Sequence, residues 1–184
     1  MSKLPFRFGA EVYTWFMSNN GETYKGQLGH MIEVISQAGF TGIQPIFTWM
    51  GPLANADALE AKLKEQNISL AAVALALDWN GTKETDEEKK IADEAIKLLS
   101  RFPDSVLCTV QIPTGRHDLT QRRKNLVDIV NTVSARAADK GVISSFHPNS
   151  PHTSITRTEE DYTVILESLD PKVTGWCPDV GTVP

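Results

Sequence analysis

Cysteine is scarce in this chain, with two residues, Cys108 and Cys177, among 184. Both fall in strand-like runs and they form no CxxC pair, which excludes a disulfide-rich mini-protein and points to a reducing compartment. Long hydrophobic runs are also missing. The longest, Leu70 to Leu77, is far short of the roughly 18 residues a membrane span needs. The N-terminal stretch MSKLPFRFG lacks the apolar core of a signal peptide. A basic excess is absent too: 18 Lys and Arg stand against 23 Asp and Glu, a net charge of −5. Proteins that grip a phosphate backbone show the opposite balance, so nucleic acid is not an expected partner. What remains is ordinary globular material, 41% apolar and 22% charged, neither collagen-like nor disordered. The expectation is one cytoplasmic domain over residues 1–184 with no membrane partner.

The pattern that is present alternates β-like and helical runs. Phe8–Tyr13 reads as a first strand, followed by a helix over Tyr24–Ala38 with Leu28, Met31, Ile32 and Ile35 on one face and Gly39 as its stop. Gly42–Phe47 is the second strand, and its helix runs from about Asn55 to Gln66. The third strand is Leu70–Leu77, apolar throughout as in a sheet covered on both sides. Thr85-Asp86-Glu87-Glu88 is a capping-box pattern opening a helix with Ile91, Ala92, Ala95, Ile96 and Leu99 inward. Val106–Ile112 follows, then a helix over Thr120–Lys140 stopped by Gly141. Val142–Phe146 is the fifth strand, Thr158 caps a fifth helix, and Val173–Cys177 is the sixth strand.

Strict alternation implies parallel strands with right-handed crossovers. An open doubly wound sheet and a (β/α)8 barrel both satisfy it. No GxGxxG follows the first strand, where Ala10-Glu11-Val12-Tyr13-Thr14-Trp15 stands, so a dinucleotide-binding turn is absent and the barrel is favoured. A full barrel needs roughly 250 residues, so six strands suggest one truncated after about three-quarters of its length. Such an arc leaves edges open, which makes a homo-oligomer the expected state.

In either architecture function gathers at the carboxyl ends of the strands. Those ends carry Glu11 and Trp15; Gln44 and Trp49; Asp78 and Trp79; Gln111, Arg116 and His117; His147, Asn149, His152 and Arg157; and Asp179. Carboxylates and imidazoles can hold a divalent ion, tryptophans can cover sugar rings, and arginine can pair with phosphate. Plainer readings stand beside these. Asp78 also reads as a turn cap, the tryptophans as packing, Glu11 as a paired interior charge, His117 as a solvated loop residue, and Arg157 as a partner of the acidic first turn of the fifth helix. His147 and Asp179, each closing an apolar strand, carry the strongest signal. Mixed imidazole and carboxylate ligands suit Mn, Zn, Co or Mg.

Several segments together resemble the xylose-isomerase-like superfamily of TIM barrels, the sugar phosphate isomerases/epimerases, including inosose-dehydratase-like members. They are Gln37-Ala38-Gly39-Phe40-Thr41-Gly42-Ile43-Gln44, Gly141 through Asn149, Arg157 through Tyr162, and Gly175-Trp176-Cys177-Pro178-Asp179-Val180-Gly181. The resemblance implies a metal-assisted proton transfer on a sugar, sugar phosphate or keto-polyol. It makes His147 and Asp179 metal ligands, and with Glu11, placed at the end of the first strand, Asp179 is expected to be catalytic. Trp15, Trp49, Trp79, Gln111, Asn149, His152 and Arg157 are the expected substrate contacts. Two departures stand out: Thr182 occupies the position of a family histidine, and the sequence stops where the family is expected to continue into strands seven and eight, which supply a further ligand and a glutamate. His147 stands where many members carry a metal-binding glutamate, as in the His-rich inosose-dehydratase-like members. The alternative expectation is a catalytically incomplete barrel fragment with a binding or assembly role.

Overall fold

The computed structural model describes residues 7–18 and 26–181. Seven strands and six α-helices lie within them. In chain order these are β1 (Gly9–Glu11), α1 (Tyr13–Ser18), α2 (Leu28–Gln37), β2 (Gly42–Gln44), α3 (Ala56–Glu65), β3 (Ser69–Leu70), β4 (Ala72–Leu77), α4 (Asp86–Leu99), β5 (Val106–Gln111), α5 (Leu119–Ala138), β6 (Ile143–His147), α6 (Glu159–Ser168) and β7 (Thr174–Trp176). Two 3₁₀ turns, Phe47–Trp49 and Gly51–Ala54, join β2 to α3.

All strand pairs are parallel, in the orders β1-β2-β3 and β4-β5-β6-β7. Backbone bonds connect the two sheets. The Ala71 N–H donates to the Ile43 carbonyl at 2.9 Å, its own carbonyl accepts from Val106 N–H at 3.2 Å, and Ala74 N–H donates to Pro45 at 2.8 Å. The apolar run expected as one strand thus changes partner at Ala71, from β2 on one side to β5 on the other, and is divided into β3 and β4. The result is a layered α/β wall with all strands parallel.

Local chemistry explains the helices. Thr85 and Glu88 form the capping box expected of α4, with Glu88 N–H to Thr85 Oγ1 at 3.2 Å and Thr85 N–H to Glu88 Oε2 at 2.7 Å. Thr158 does the same for α6, with Asp161 in the reciprocal role. Gly39 and Gly141 stop α2 and α5 at φ of 85° and 73°, a conformation that costs glycine little. Leu126, Ile129, Val130, Val133 and Ala137 make the buried face of α5.

The first strand is shorter than its sequence suggests. It ends at Glu11, buried Val12 turns the chain, and Tyr13 opens α1, with Trp15 N–H donating to the Val12 carbonyl at 3.0 Å. Phe47 belongs to a 3₁₀ turn rather than to β2. His147 lies within β6, while Cys177 falls beyond β7. The helix expected from Tyr24 is described from Leu28 onward; Tyr24 and the Thr182 position lie outside the described residues.

Register sorts the sheet faces. Ala74, Cys108, Ser145 and Gly175 form one row, and Ala76, Val110 and His147 the next. The alternate row, Leu75, Thr109, Phe146 and Trp176, lies on the opposite face because side chains alternate with period two. The ring of Tyr162, from α6, meets Trp176 edge-on at 6.0 Å. The Trp176 row therefore faces the helices, and the small-residue row carrying Cys108 and His147 lines the concave side.

Candidate functional site

Parallel strands put all their carboxyl ends at one mouth. Glu11 closes β1, His147 closes β6, and Asp179 follows β7. Strand β1 and strand β7 stand at opposite ends of the strand order, yet the wall curls enough that Glu11 senses the charges of His147, Asp179 and Cys177. His147 Nε2 lies 3.9 Å from Asp179 Oδ2, so both side chains face the same mouth. The other ring nitrogen, Nδ1, is 3.3 Å from the Cys177 carbonyl.

The electrostatics follow from this crowding. The Glu11 carboxyl is pushed up to about 7, first by partial desolvation among the surrounding groups. The His147 imidazole and the Tyr13 N–H oppose that rise, and the negative charges of Asp179 and Cys177 add to it. Burial disfavours the His147 imidazolium, but Cys177 and Asp179 outweigh it and hold the ring above its ordinary value. The Cys177 thiol is lowered to about 5 by hydrogen bonds from Cys108 and His147, against the cost of desolvation. The Cys108 thiol is driven well up by its hydrogen bond to Cys177 and by burial.

Sequence reasoning missed these two cysteines as members of the site. One ligand atom from each of Cys108, His147 and Cys177 lies within 4.8 Å of the others. Sixty-nine positions separate the two cysteines in the chain, so no spacing motif exposes them. The usable signal was parity: the register that aligns Cys108 with Ser145 and Gly175 puts Cys177, two residues past Gly175, on the same face.

The remaining expected site residues are distributed as follows. Trp15 and Trp49 are half-buried against the core, and the Trp49 ring stacks on Phe16 at 5.6 Å. Trp79 is 1% exposed with a φ of 45°; its ring is core packing and offers no face to a sugar. Gln111 is buried on the helix-facing side, and its amide donates to the carbonyls of Asp78 at 3.1 Å and Trp79 at 3.4 Å. It clamps the turn after β4 instead of reaching the mouth. The Asn149 carbonyl accepts from Thr156 Oγ1 at 3.3 Å, and Arg157 Nη1 donates to the Ser150 carbonyl at 2.9 Å. Both brace the loop after β6, where His152 is exposed.

That loop is anchored by a buried carboxylate. Asp161 is 0% exposed and accepts from Arg116 Nη1 at 2.7 Å, from Arg123, and from the N–H groups of Arg157 and Thr158 at 2.9 and 2.8 Å. Arg116 also donates to the Ser154 carbonyl at 2.6 Å. Arg116 is thus committed to structure, as is the Arg157 backbone. A separate cavity of about 600 Å³ opens beside the start of α5, lined by Asn80, Thr114, His117 and Arg122 among others. None of Glu11, His147 or Asp179 lines it.

A parallel α/β wall with ionisable groups gathered at the strand carboxyl ends is the architecture of a TIM-barrel wall. The family model for the xylose isomerase-like TIM barrel matches residues 32–183, and the chain belongs to that family. It is 28% identical over 134 residues to a mannonate dehydratase of Brucella canis, covering 65% of this chain and 31% of that protein. A xylose isomerase-like TIM barrel protein from Mycobacterium smegmatis in complex with magnesium superposes with a TM-score of 0.69 at 14% identity, over 97% of this chain and 66% of the other. D-psicose 3-epimerase from Clostridium cellulolyticum with D-tagatose gives 0.69 at 14% identity, over 94% and 63%. The chain therefore spans about a third of the curated relatives and about two-thirds of these solved barrels. Among the described residues, no helix is long and apolar enough to cross a membrane.

Proposed function

We propose that the mouth formed by Glu11, His147 and Asp179 serves a metal-assisted proton transfer on a sugar or keto-polyol, of the isomerase or epimerase type. The observation that carries this reading is the convergence of Glu11, from the first strand, on His147 and Asp179 from the last two. An isolated carboxylate would sit near its ordinary value; one poised near neutrality can both take and return a proton.

His147 and Asp179 are the residues to hold a divalent ion, and their 3.9 Å separation suits two donors on one centre. When bound, the ion polarises a substrate carbonyl and acidifies the neighbouring C–H. Glu11 in its ionised form takes that proton, and the C–H electron pair moves toward the carbonyl oxygen. Return of the proton to the former carbonyl carbon, with the neighbouring hydroxyl proton passing to the former carbonyl oxygen, isomerises the sugar. Protonation of the same carbon from the opposite face, by water or another acid there, epimerises it. Loss of the β-hydroxyl as water, with the proton supplied by an acid, dehydrates it. Trp15 and Trp49, half-buried near α1, flank the mouth as apolar surface for a sugar ring. Asn149, His152 and Arg157 belong to the polar loop beside it, which the Arg157 guanidinium braces through the Ser150 carbonyl.

Solvent exchange tests this directly. The purified chain is incubated with a divalent metal and a ketose such as D-tagatose in heavy water, and loss of the proton α to the carbonyl is followed by NMR. The reading expects exchange well above the metal-only control and a drop of about 10²- to 10⁴-fold in Glu11→Gln, the usual worth of a general base. Exchange no faster than the control, or unchanged in that variant, would overturn it.

A further inference from the structure

We infer that Cys108, Cys177 and His147 form a thiolate-rich metal site that selects a thiophilic ion of the zinc class over magnesium or manganese. The inference rests on the reading above in placing an ion beside His147, and it names that ion and two ligands.

The geometry is the first argument. Three donor atoms from three different strands or strand ends lie within 4.8 Å of one another. Donors bonded to a tetrahedral zinc at roughly 2.0–2.3 Å stand about 3.3–3.8 Å apart, so modest side-chain rotation closes the set. The fourth direction is also supplied, because Asp179 Oδ2 is 3.9 Å from His147 Nε2. A His147 Nδ1–H donating to the Cys177 carbonyl at 3.3 Å would fix the ring with Nε2 toward the ion, the outer-shell arrangement typical of metal-bound histidine.

Topology is the second argument. Strand β6 lies between β5, which carries Cys108, and β7, which Cys177 follows. Both cysteines are free. Two free thiols that face each other beside an imidazole are suited to a shared ion. Donor chemistry is the third argument. Two sulfurs and an imidazole are soft and borderline ligands, which favour zinc or cobalt and are poor partners for magnesium.

The test needs no substrate. The full chain is stripped with a chelator and titrated with zinc by equilibrium dialysis, then with cobalt(II) under an ultraviolet–visible spectrometer. The inference expects one zinc per chain, retained in a large excess of magnesium, and a sulfur-to-cobalt charge-transfer band. Cys108→Ser and Cys177→Ser should each weaken zinc binding by more than about 100-fold, beyond what outer-shell changes cost. Cobalt bound without the sulfur band in the wild-type chain would overturn the inference even if a variant failed to fold. Zinc binding unaltered by both substitutions, or displaced by magnesium, would do the same. Solvent exchange that persists with magnesium alone would sink the zinc assignment while leaving the proton-transfer reading standing.

Discussion

Replacing Asp161 by asparagine keeps its shape and removes its charge. The side chain is 0% exposed, and it neutralises Arg123, which is itself 6% exposed, together with Arg116 at 2.7 Å. It also accepts two backbone N–H groups at the start of α6. Asparagine can offer one acceptor oxygen but turns its NH₂ toward a guanidinium, stranding a buried cation. Breaking one side of a buried ion pair costs about 3–5 kcal/mol. For a chain of this size each kcal/mol shifts the melting temperature by about 2–4 °C, so the expected loss is on the order of 10 °C. The pH dependence gives a second handle. Burial alone would raise the Asp161 carboxyl, but the bonds from Arg116, Thr158, Arg157 and Arg123 outweigh it and hold the group well below the carboxylate range. A depressed value in the folded state means that the stabilisation is present above the unfolded value of about 3.9 and fades as pH falls toward the folded one. Urea melts of wild type and Asp161→Asn should therefore differ most at neutral pH and converge in acid. A loss under 1 kcal/mol at pH 7, or a gap that does not shrink with acidification, would refute the reasoning.

Further outcomes follow from the same contacts. Thr85→Ala removes the cap of α4 and should cost about 1 kcal/mol in urea denaturation, with no change in metal binding. Gln111→Leu strands the carbonyls of Asp78 and Trp79 that its amide satisfies and should cost about 1–3 kcal/mol. Its substrate KM should stay unchanged, because the side chain faces the helices; a raised KM at unaltered stability would place Gln111 back at the mouth. For Glu11 the folded value lies above the unfolded one. Its contribution to stability is therefore complete below about pH 4.5 and is lost as pH rises through about 7. Melting temperatures of Glu11→Gln and wild type, measured from pH 4.5 to 8, should diverge in the variant's favour as pH rises.

Much of the architecture was legible because it depends on local chemistry. Amphipathic spacing fixes α4 and α5, and Thr85 and Thr158 announce their helices through side chains that satisfy specific backbone N–H groups. What escaped depends on partners distant in sequence. The division at Ala71 arises because its N–H and carbonyl serve different neighbouring strands, which an apolar run cannot reveal. Trp79 reads as a rim aromatic by position, but its left-handed backbone turns the ring into the core. At the mouth, His147 and Asp179 were visible as polar residues closing apolar strands. Cys108 was not, because a mid-strand cysteine looks like packing until register aligns it with Ser145 and Gly175. Arg157 read either as a substrate contact or as a partner of the acidic first turn of its helix, and only the Ser150 carbonyl shows what its guanidinium holds, while Arg116 is taken up by the buried Asp161 and the Ser154 carbonyl.

The ionisation of Glu11, read by carbon-13 NMR of its side-chain carboxyl, probes the curled wall that brings the first strand to the last two. A midpoint near 7 that moves when His147 is replaced by glutamine is the expected result. A midpoint near 4.3, as for a freely solvated glutamate, and insensitive to that replacement, would mean that these side chains do not share a mouth.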